Sequence, residues 1–436
     1  MNLNFDIDKK KILIIIGAVI FVFIIILAVG LKEGRRGSVH LEIWGLFDEE
    51  EVYSGFIKEY TQSNKNVAIK YTKKSIVDYE KELIDALAAD KGPDIFLIHN
   101  TWLPRYEDKI SAMPRVKEFF TPISFQETFV DVAYRDLVKN DKIYGIPLYV
   151  DTLALFYNKD LFNSAGIPHP PSTWEEFVKD VELLTKRSST GEFEVSGAAM
   201  GTAENINRAV DILYLLMLQT GTEMTDNQHT RATFNESIYT QGKTLNPGKD
   251  ALRFYTDFAN PTKSVYCWNR QMHYSIDAFA EEKTAMMINY SYHIDTIKEK
   301  APYLNFAIAP VPQIKDRKFD INYANYWAFT VSKKSKSPYE AWRFLMFFSK
   351  RENLKKYLEK TKAPTSRRDL IEWQKNDPEL KPFASQVLSA KSWYQVDNQA
   401  IEEIFINMIK SVVLGEASLD QAINKAANQV TVLMRR

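Results

Sequence analysis

Carboxylates, six histidines and a single cysteine are the groups in this chain able to make or break bonds, and none is spaced to do so. No Gly-x-Ser-x-Gly turn presents a serine nucleophile. No His-Glu-x-x-His pair could hold a hydrolytic metal, and His99, His273 and His293 are scattered and read as hydrogen-bonded side chains. Gly242-Lys243-Thr244 has the ending of a phosphate loop, but Ser237 stands where the leading glycine is required. Glu281-Glu282 is an acidic pair without the spatial separation that defines a glycosidase. Cys267 alone forms neither an intrachain disulfide nor a multi-cysteine zinc site. No catalytic residue, metal or cofactor is therefore assigned. What stands out is the aromatic content: of 22 Tyr, 26 Phe and 8 Trp many must be core, but so many Tyr and Trp also fit a surface that recognises flat or ring-shaped ligands.

The elements that position these groups alternate between strand and helix. His40-Leu41-Glu42-Ile43-Trp44 alternates as a strand and Gly45 ends it. The acidic run Asp48–Glu51 then reads as a helix start, with Val52, Phe56, Ile57 and Tyr60 following at helical spacing. Val67–Tyr71 is a second strand; a helix lined by Leu83, Ala86 and Leu87 leads through Gly92-Pro93 to the apolar strand Asp94–Ile98. This order predicts an α/β lobe. Leu153–Asn158 is a further strand, and Thr173 with Glu176 forms a capping box before the apolar face Trp174, Phe177, Val178, Val181 and Leu184. Ile212–Leu218 is an apolar helical stretch. Phe306–Pro312 and Tyr326–Val331 are strands, and residues 338–434 are mainly helical. About 400 residues are too many for one core, so two lobes are expected.

Charge balance restricts partners. Fifty-six basic and 56 acidic residues leave no basic field, which argues against nucleic acid. Residues Ile12–Leu31 contain no charge and are long enough to span a bilayer of about 30 Å as a helix. Ala28-Val29-Gly30 has the form of a signal cleavage site, the competing reading, but the run exceeds the usual 7–15 apolar residues. The expectation is an uncleaved single-pass anchor with the body outside the cytosol. Lys9, Lys10 and Lys11 before the run and Lys32, Arg35 and Arg36 after it leave orientation undecided by charge.

From about Val39 to Leu433 the chain resembles the family 1 extracellular solute-binding proteins of ATP-driven (ABC) importers, which include maltose- and other sugar-binding proteins. The likeness rests on motifs in order: Leu41-Glu42-Ile43-Trp44-Gly45, Gly92-Pro93-Asp94-Ile95-Phe96, Tyr144-Gly145-Ile146-Pro147, and Leu155-Phe156-Tyr157-Asn158-Lys159-Asp160. Ala165-Gly166-Ile167-Pro168, Pro171-Ser172-Thr173-Trp174-Glu175-Glu176, Ala278-Phe279 to Ala285-Met286, Ala309-Pro310-Val311-Pro312 and Val331–Lys336 complete them. The paired Tyr-Asn-Lys-Asp and Thr-Trp-Glu-Glu motifs are the most specific. Two departures are visible. No cysteine follows the apolar run, as it does in lipoprotein members, so the helix is expected to be the anchor. Glu282 stands where many relatives carry glycine.

The resemblance implies a periplasmic-binding-protein-like fold: two α/β lobes joined by hinge crossings, with ligand held between them. The expected division is residues 1–38 as tail, anchor and linker, 39–149 with 311–334 as lobe 1, and 150–310 with 335–436 as lobe 2. Tyr149-Val150-Asp151 is then a crossing. It implies a monomeric body that captures a sugar, more specifically an oligosaccharide, and passes it to a separate ABC permease. Receptors for peptides, polyamines, phosphate esters or iron, a transporter-free adhesin or sensor, and a polysaccharide-active enzyme are the alternatives.

Ligands of open α/β sheets sit beyond the carboxyl ends of strands, which selects Trp44, His99, Asn100, Trp102 and Asp151. Sugar binding requires flat platforms and forked polar groups. Tyr149, Trp268, Tyr290, Tyr292, Tyr323 and Trp327 supply further aromatic candidates, and Asp48, Asn325 and Arg367 further polar ones. Family correspondence favours Tyr292 and the Tyr323–Trp327 segment. Trp174 and Trp342 lie on helix faces and are assigned to the core, whereas Trp102 and Trp268 lie in loops and are assigned to the site. A disaccharide at roughly 0.3 kcal/mol per heavy atom would gain on the order of 7 kcal/mol, near micromolar affinity.

Overall fold

Leu41 and Ile43 alternate with polar residues and turn one face of strand β1 (Val39–Gly45) into the core of the first lobe. The computed structural model describes residues 38–240 and 242–435. The expected anchor, Ile12–Leu31, lies outside the described residues; among those described, no helix is long and apolar enough to cross a membrane. Helix α1 (Glu50–Ser63) begins with Glu50 and Glu51 at the positive end of its dipole and buries Tyr53, Phe56 and Tyr60. Strand β2 (Val67–Lys73), helix α2 (Tyr79–Ala88) and strand β3 (Ile95–His99) follow. Both β2 and β3 run parallel to β1, as a strand–helix–strand unit requires.

Strand β4 (Ile146–Pro147) closes the first pass through this lobe. The chain crosses at β5 (Asp151–Thr152) and enters the second lobe through β6 (Ala154–Asn158). Helix α3 (Trp174–Leu184) carries the Thr173–Glu176 capping box, and its buried face is Trp174, Phe177, Val181 and Leu184. Helix α4 (Ala209–Thr220) buries residues all around its circumference, consistent with its unbroken apolar sequence. Strands β7 (Met286–Asn289) and β8 (Phe306–Pro310) pair antiparallel on either side of β6. The chain returns through β9 (Asn322–Asn325) to β10 (Trp327–Val331), which pairs antiparallel with β3 and β4. The first sheet thus has the order β2-β1-β3-β10-β4.

Helices α5 (Pro338–Phe348) and α6 (Arg351–Thr361) come next. Their buried side chains, including Trp342, Leu345 and Tyr357, join the first lobe's core together with Leu370 and Ile371. Residues 335–371 therefore pack with lobe 1 and not with lobe 2, where the sequence reading put them. Val311 and Tyr323 conversely lie in the second lobe's core, which moves the 311–334 boundary to about residue 324. The cause is visible in the packing: α5 covers the face of the first sheet, and Trp342 donates to the Ser111 carbonyl at 3.1 Å. The chain then crosses a third time. Strand β11 (Ala390–Lys391), helix α7 (Asn398–Val413) and helix α8 (Leu419–Met434) follow, and both helices pack on the second lobe.

The crossings are tied together. Strand β9 pairs with β5 through Ala324↔Thr152 and Asn325↔Asp151, and with β11 through Asn322↔Ala390. Across this bundle Asp136 accepts from Asn100 at 3.0 Å and from the Tyr326 hydroxyl at 2.9 Å, and it also bonds Ser392. A three-strand ribbon of this kind lets two rigid cores rotate about a few residues.

Candidate functional site

Between the lobes lie two adjoining chambers. The wider has a volume of about 430 Å³ and the narrower about 250 Å³. Phe47, Ile76, Arg208, Asn325 and Trp327 line both. Phe47, Ile76 and Trp327 come from lobe 1, Arg208 precedes helix α4 of lobe 2, and Asn325 ends the crossing strand. The cleft is thus walled from both sides with its floor on the hinge.

The loop after β1 is held in place by close packing. A Cβ on Gly45 would lie 2.0 Å from the Tyr71 hydroxyl, so only glycine lets that ring pass. The Tyr71 hydroxyl donates to the Asp48 carbonyl at 2.7 Å. The Asp48 carboxylate accepts from Tyr53 at 2.7 Å and from Tyr357 at 2.8 Å. Burial nevertheless raises its pKa. These bonds set Phe47 and Asp48 at the mouth of the wide chamber.

Trp327 is the central platform. Its ring meets Phe47, Tyr79, His99 and Trp102 edge to face, which fixes its plane. His99 bonds Thr101 through Nδ1 at 2.8 Å and Asn325 through Nε2 at 3.3 Å. Burial pushes its pKa down to about 4, so the imidazole is neutral. Facing Trp327 across the cleft are Tyr149 on the crossing and Tyr292, the latter 48% exposed and stacked on Tyr290.

Asp151 sits at the hinge. It accepts from the Ser291 amide at 3.0 Å, the Ser291 hydroxyl at 2.7 Å and the Thr152 amide at 2.8 Å. Desolvation outweighs those bonds and carries its pKa up to about 7. The narrow chamber is lined by His99, Tyr323 and Asn325, all anticipated from the sequence, and by Asp211, Tyr214, Gln395, Asn398 and Glu402, none of which was. Tyr323 presents its hydroxyl to Gln395 at 3.3 Å.

The most important omission is Arg208. It occupies the left-handed backbone region at φ 61°, a strained conformation for a side chain of this size. Its Nε donates to the Tyr292 hydroxyl at 2.8 Å, and its guanidinium lies 5.8 Å from each of the Tyr290 and Tyr292 ring centres. Nearby Asp211 accepts from Tyr290 at 2.9 Å. The signal available in the sequence was Asp211 itself, a lone acid in the first turn of α4 just before the apolar run Ile212–Leu218.

Several predicted residues stand apart from both chambers. Trp268 is fully buried in the second lobe's core, where its Nε1 donates to Asn205 at 3.1 Å. Trp44 is covered by the Lys74 ammonium 4.0 Å from its ring and donates to Glu42. Trp102 lies under Trp327, stacked on Tyr106, with its Nε1 given to Asn398 across the lobes at 2.8 Å. Asn100 is committed to Asp136 and the hinge. Tyr290 is buried beneath Tyr292. Arg367 faces away, held by Asp369 and the Ser349 carbonyl. In each case a protein group takes the polar atom that sequence reasoning offered to a ligand.

Two lobes closing on a cleft of aromatic faces and forked polar groups define a ligand receptor. Residues 47–355 match the bacterial extracellular solute-binding proteins, and the chain belongs to that family. Among curated relatives, the multiple sugar-binding protein of Streptococcus mutans is 27% identical over 366 residues, covering 83% of each chain. The galactooligosaccharide-binding protein of Bacillus subtilis is 22% identical over 409 residues, 91% of this chain and 89% of that one. The sugar-binding protein MalE of Xanthomonas citri has the same fold, with TM-score 0.74, 20% identity, and coverage of 91% and 97%. The cyclic alpha-maltosyl-1,6-maltose binding protein of Arthrobacter globiformis gives TM-score 0.74 at 19% identity, covering 92% of this chain and all of that one.

Proposed function

We propose that this protein captures a short oligosaccharide between its lobes, outside the cytosol, and delivers it to an ABC permease while tethered by its N-terminal apolar segment. The observation that carries the reading is the pairing of Trp327 on one wall with Tyr292 on the other, around polar groups at the hinge. Pyranose rings have apolar C–H faces that stack on such rings and hydroxyl rims that suit Asp48, Asn325 and Arg208. The wide chamber falls in the range of small-molecule sites, about 300–1,000 Å³, and the narrow one extends it. Ligand would favour the closed form because only closure brings both walls to it. The named ligands of the relatives, a mixture of sugars and oligosaccharides, support the same class.

The test is a fluorescence titration of the purified chain against a sugar panel, with mass spectrometry of small molecules that co-purify. A saturable change with an oligosaccharide is expected, since Trp327 and Trp102 sit at the closing interface. Response only to peptides, polyamines or metal ions would overturn the substrate class and leave the fold untouched.

A further inference from the structure

We infer that the cleft is selective for uncharged sugar units and rejects acidic ones, with Asp211 and Glu402 of the narrow chamber as the residues that enforce it. The inference rests on the oligosaccharide reading above. At first sight Arg208 invites the opposite conclusion, because a guanidinium between two chambers is the usual partner of a carboxylate. Its surroundings argue otherwise. Its Nε is taken by Tyr292, and its charge is answered by Asp211. Asp211 and Glu402 line the same small space; among the described residues no cation forms a hydrogen bond or salt bridge with either, and Arg208 is the one charge that favours their ionised forms. Desolvation raises the pKa of both, and Asp211 adds to the cost of ionising Glu402, as expected when charges share a dry space.

The wide chamber reinforces this. Asp48, Asp151 and Asp295 line it without a cation in contact, while Lys362 is 3.6 Å from Asp377 and Glu379 pairs with Lys298. His99 in the narrow chamber and His293 behind Tyr292 are neutral: burial holds both down to about 4. Even with Asp151 left out of the count, the carboxylates lining the two chambers outnumber the cations Arg208 and Lys362. A uronate, phosphate or sulfate entering here would lose its hydration and meet like charge in low dielectric.

A second feature points to a neutral, hydroxyl-bearing occupant. Tyr214 lines the narrow chamber and is 3% exposed, and its hydroxyl has no partner. A buried phenol in that position is satisfied by a ligand hydroxyl or ring oxygen. Together with Gln395 and Asn398 it makes a wall of neutral donors and acceptors facing Arg208, suited to a sugar rim.

The experiment is a glycan array probed with the full-length chain, including uronic-acid oligosaccharides beside their carboxyl-reduced counterparts, which differ only in CO₂⁻ against CH₂OH. Hits are measured by calorimetry on wild type, Glu402→Gln and Asp211→Asn. Neutral members should bind on the order of 100-fold more tightly than their acidic twins, the scale of like-charge juxtaposition. Glu402→Gln, which breaks no hydrogen bond of the folded chain, should narrow that ratio about tenfold. Acidic glycans binding as well as or better than the neutral ones would overturn the inference while upholding the sugar reading. A ratio unmoved in both variants would overturn the assignment to these residues. Silence toward every glycan would sink the sugar reading and this inference with it.

Discussion

Replacing Tyr292 with alanine should weaken sugar binding by roughly 30- to 70-fold with little loss of stability. The magnitude follows from two contributions. The ring is about half exposed at the cleft, so a stacked sugar would cover roughly 60 Å² of it, worth about 1.5 kcal/mol at about 25 cal/mol per Å². The hydroxyl orients Arg208 through a 2.8 Å bond, and losing it adds on the order of 0.5–1 kcal/mol. Tyr292→Phe isolates the second contribution and should cost no more than about fivefold. Because Tyr292 lies outside the buried core, thermal unfolding of either variant should stay within a few degrees of wild type. Calorimetric titration with the tightest neutral oligosaccharide is the assay. If Tyr292→Ala bound within twofold of wild type while remaining folded, the aromatic-clamp argument would be wrong.

Trp268→Leu should destabilise the fold by about 3–4 kcal/mol, read by urea unfolding, because it empties space around a fully buried indole and orphans Asn205; affinity below the transition should be unchanged. Gly45→Ala forces Tyr71 aside and should cost about 1–3 kcal/mol together with a measurable loss of affinity, since Phe47 and Asp48 ride on that loop. Asp151 titrates near 7 when folded against 3.8 ordinarily, so the folded chain holds a proton that the unfolded chain has released between those values. Its contribution is therefore full below about pH 4 and is lost as pH rises through 7, at up to about 1.4 kcal/mol per pH unit. His99 and His293, held down to about 4, act in the opposite sense between 4 and 6.5. Asp151→Asn removes one opposing slope, so urea stability should change with pH from 5 to 7 more favourably than in wild type; parallel curves would refute the assignment.

Much of the architecture was legible because apolar period and capping chemistry agree locally. The Thr173–Glu176 box, the alternation in β1 and the unbroken apolar run of α4 each specify their element without reference to the rest of the chain. The lobe to which α5 belongs was not legible, because its apolar face would suit either core and only long-range contacts decide, such as Trp342 with Ser111 and Tyr60 with Glu340 and Phe344. The site was read in part. Trp327, Tyr292, Tyr149, Asp48, Asp151 and Asn325 line the cleft, but Trp268 and Trp102 showed that a loop tryptophan can find its partner inside the protein, here Asn205 and Asn398. Arg208 was missed because its placement depends on a left-handed backbone angle that no pattern of residue types encodes at that position. Glu282 is a second such case. Its φ of 58° is a left-handed angle that favours glycine, a conformation its residue type does not announce.

The return of α5 and α6 to the first lobe has a consequence for biogenesis. The sheet of the second lobe is complete once residue 310 has been made, whereas the first lobe needs β10, α5, α6 and residues up to 371. As synthesis proceeds from the N-terminus, neither half can finish on its first pass: the first waits for residues up to 371 and the second for helices α7 and α8. Strands β1 to β3 wait with an open edge until β10 arrives, and an unpaired parallel edge is sticky. Truncation anywhere before residue 371 should therefore leave the first half unable to mature, with strands β1 to β3 the segment most open to misfolding until then.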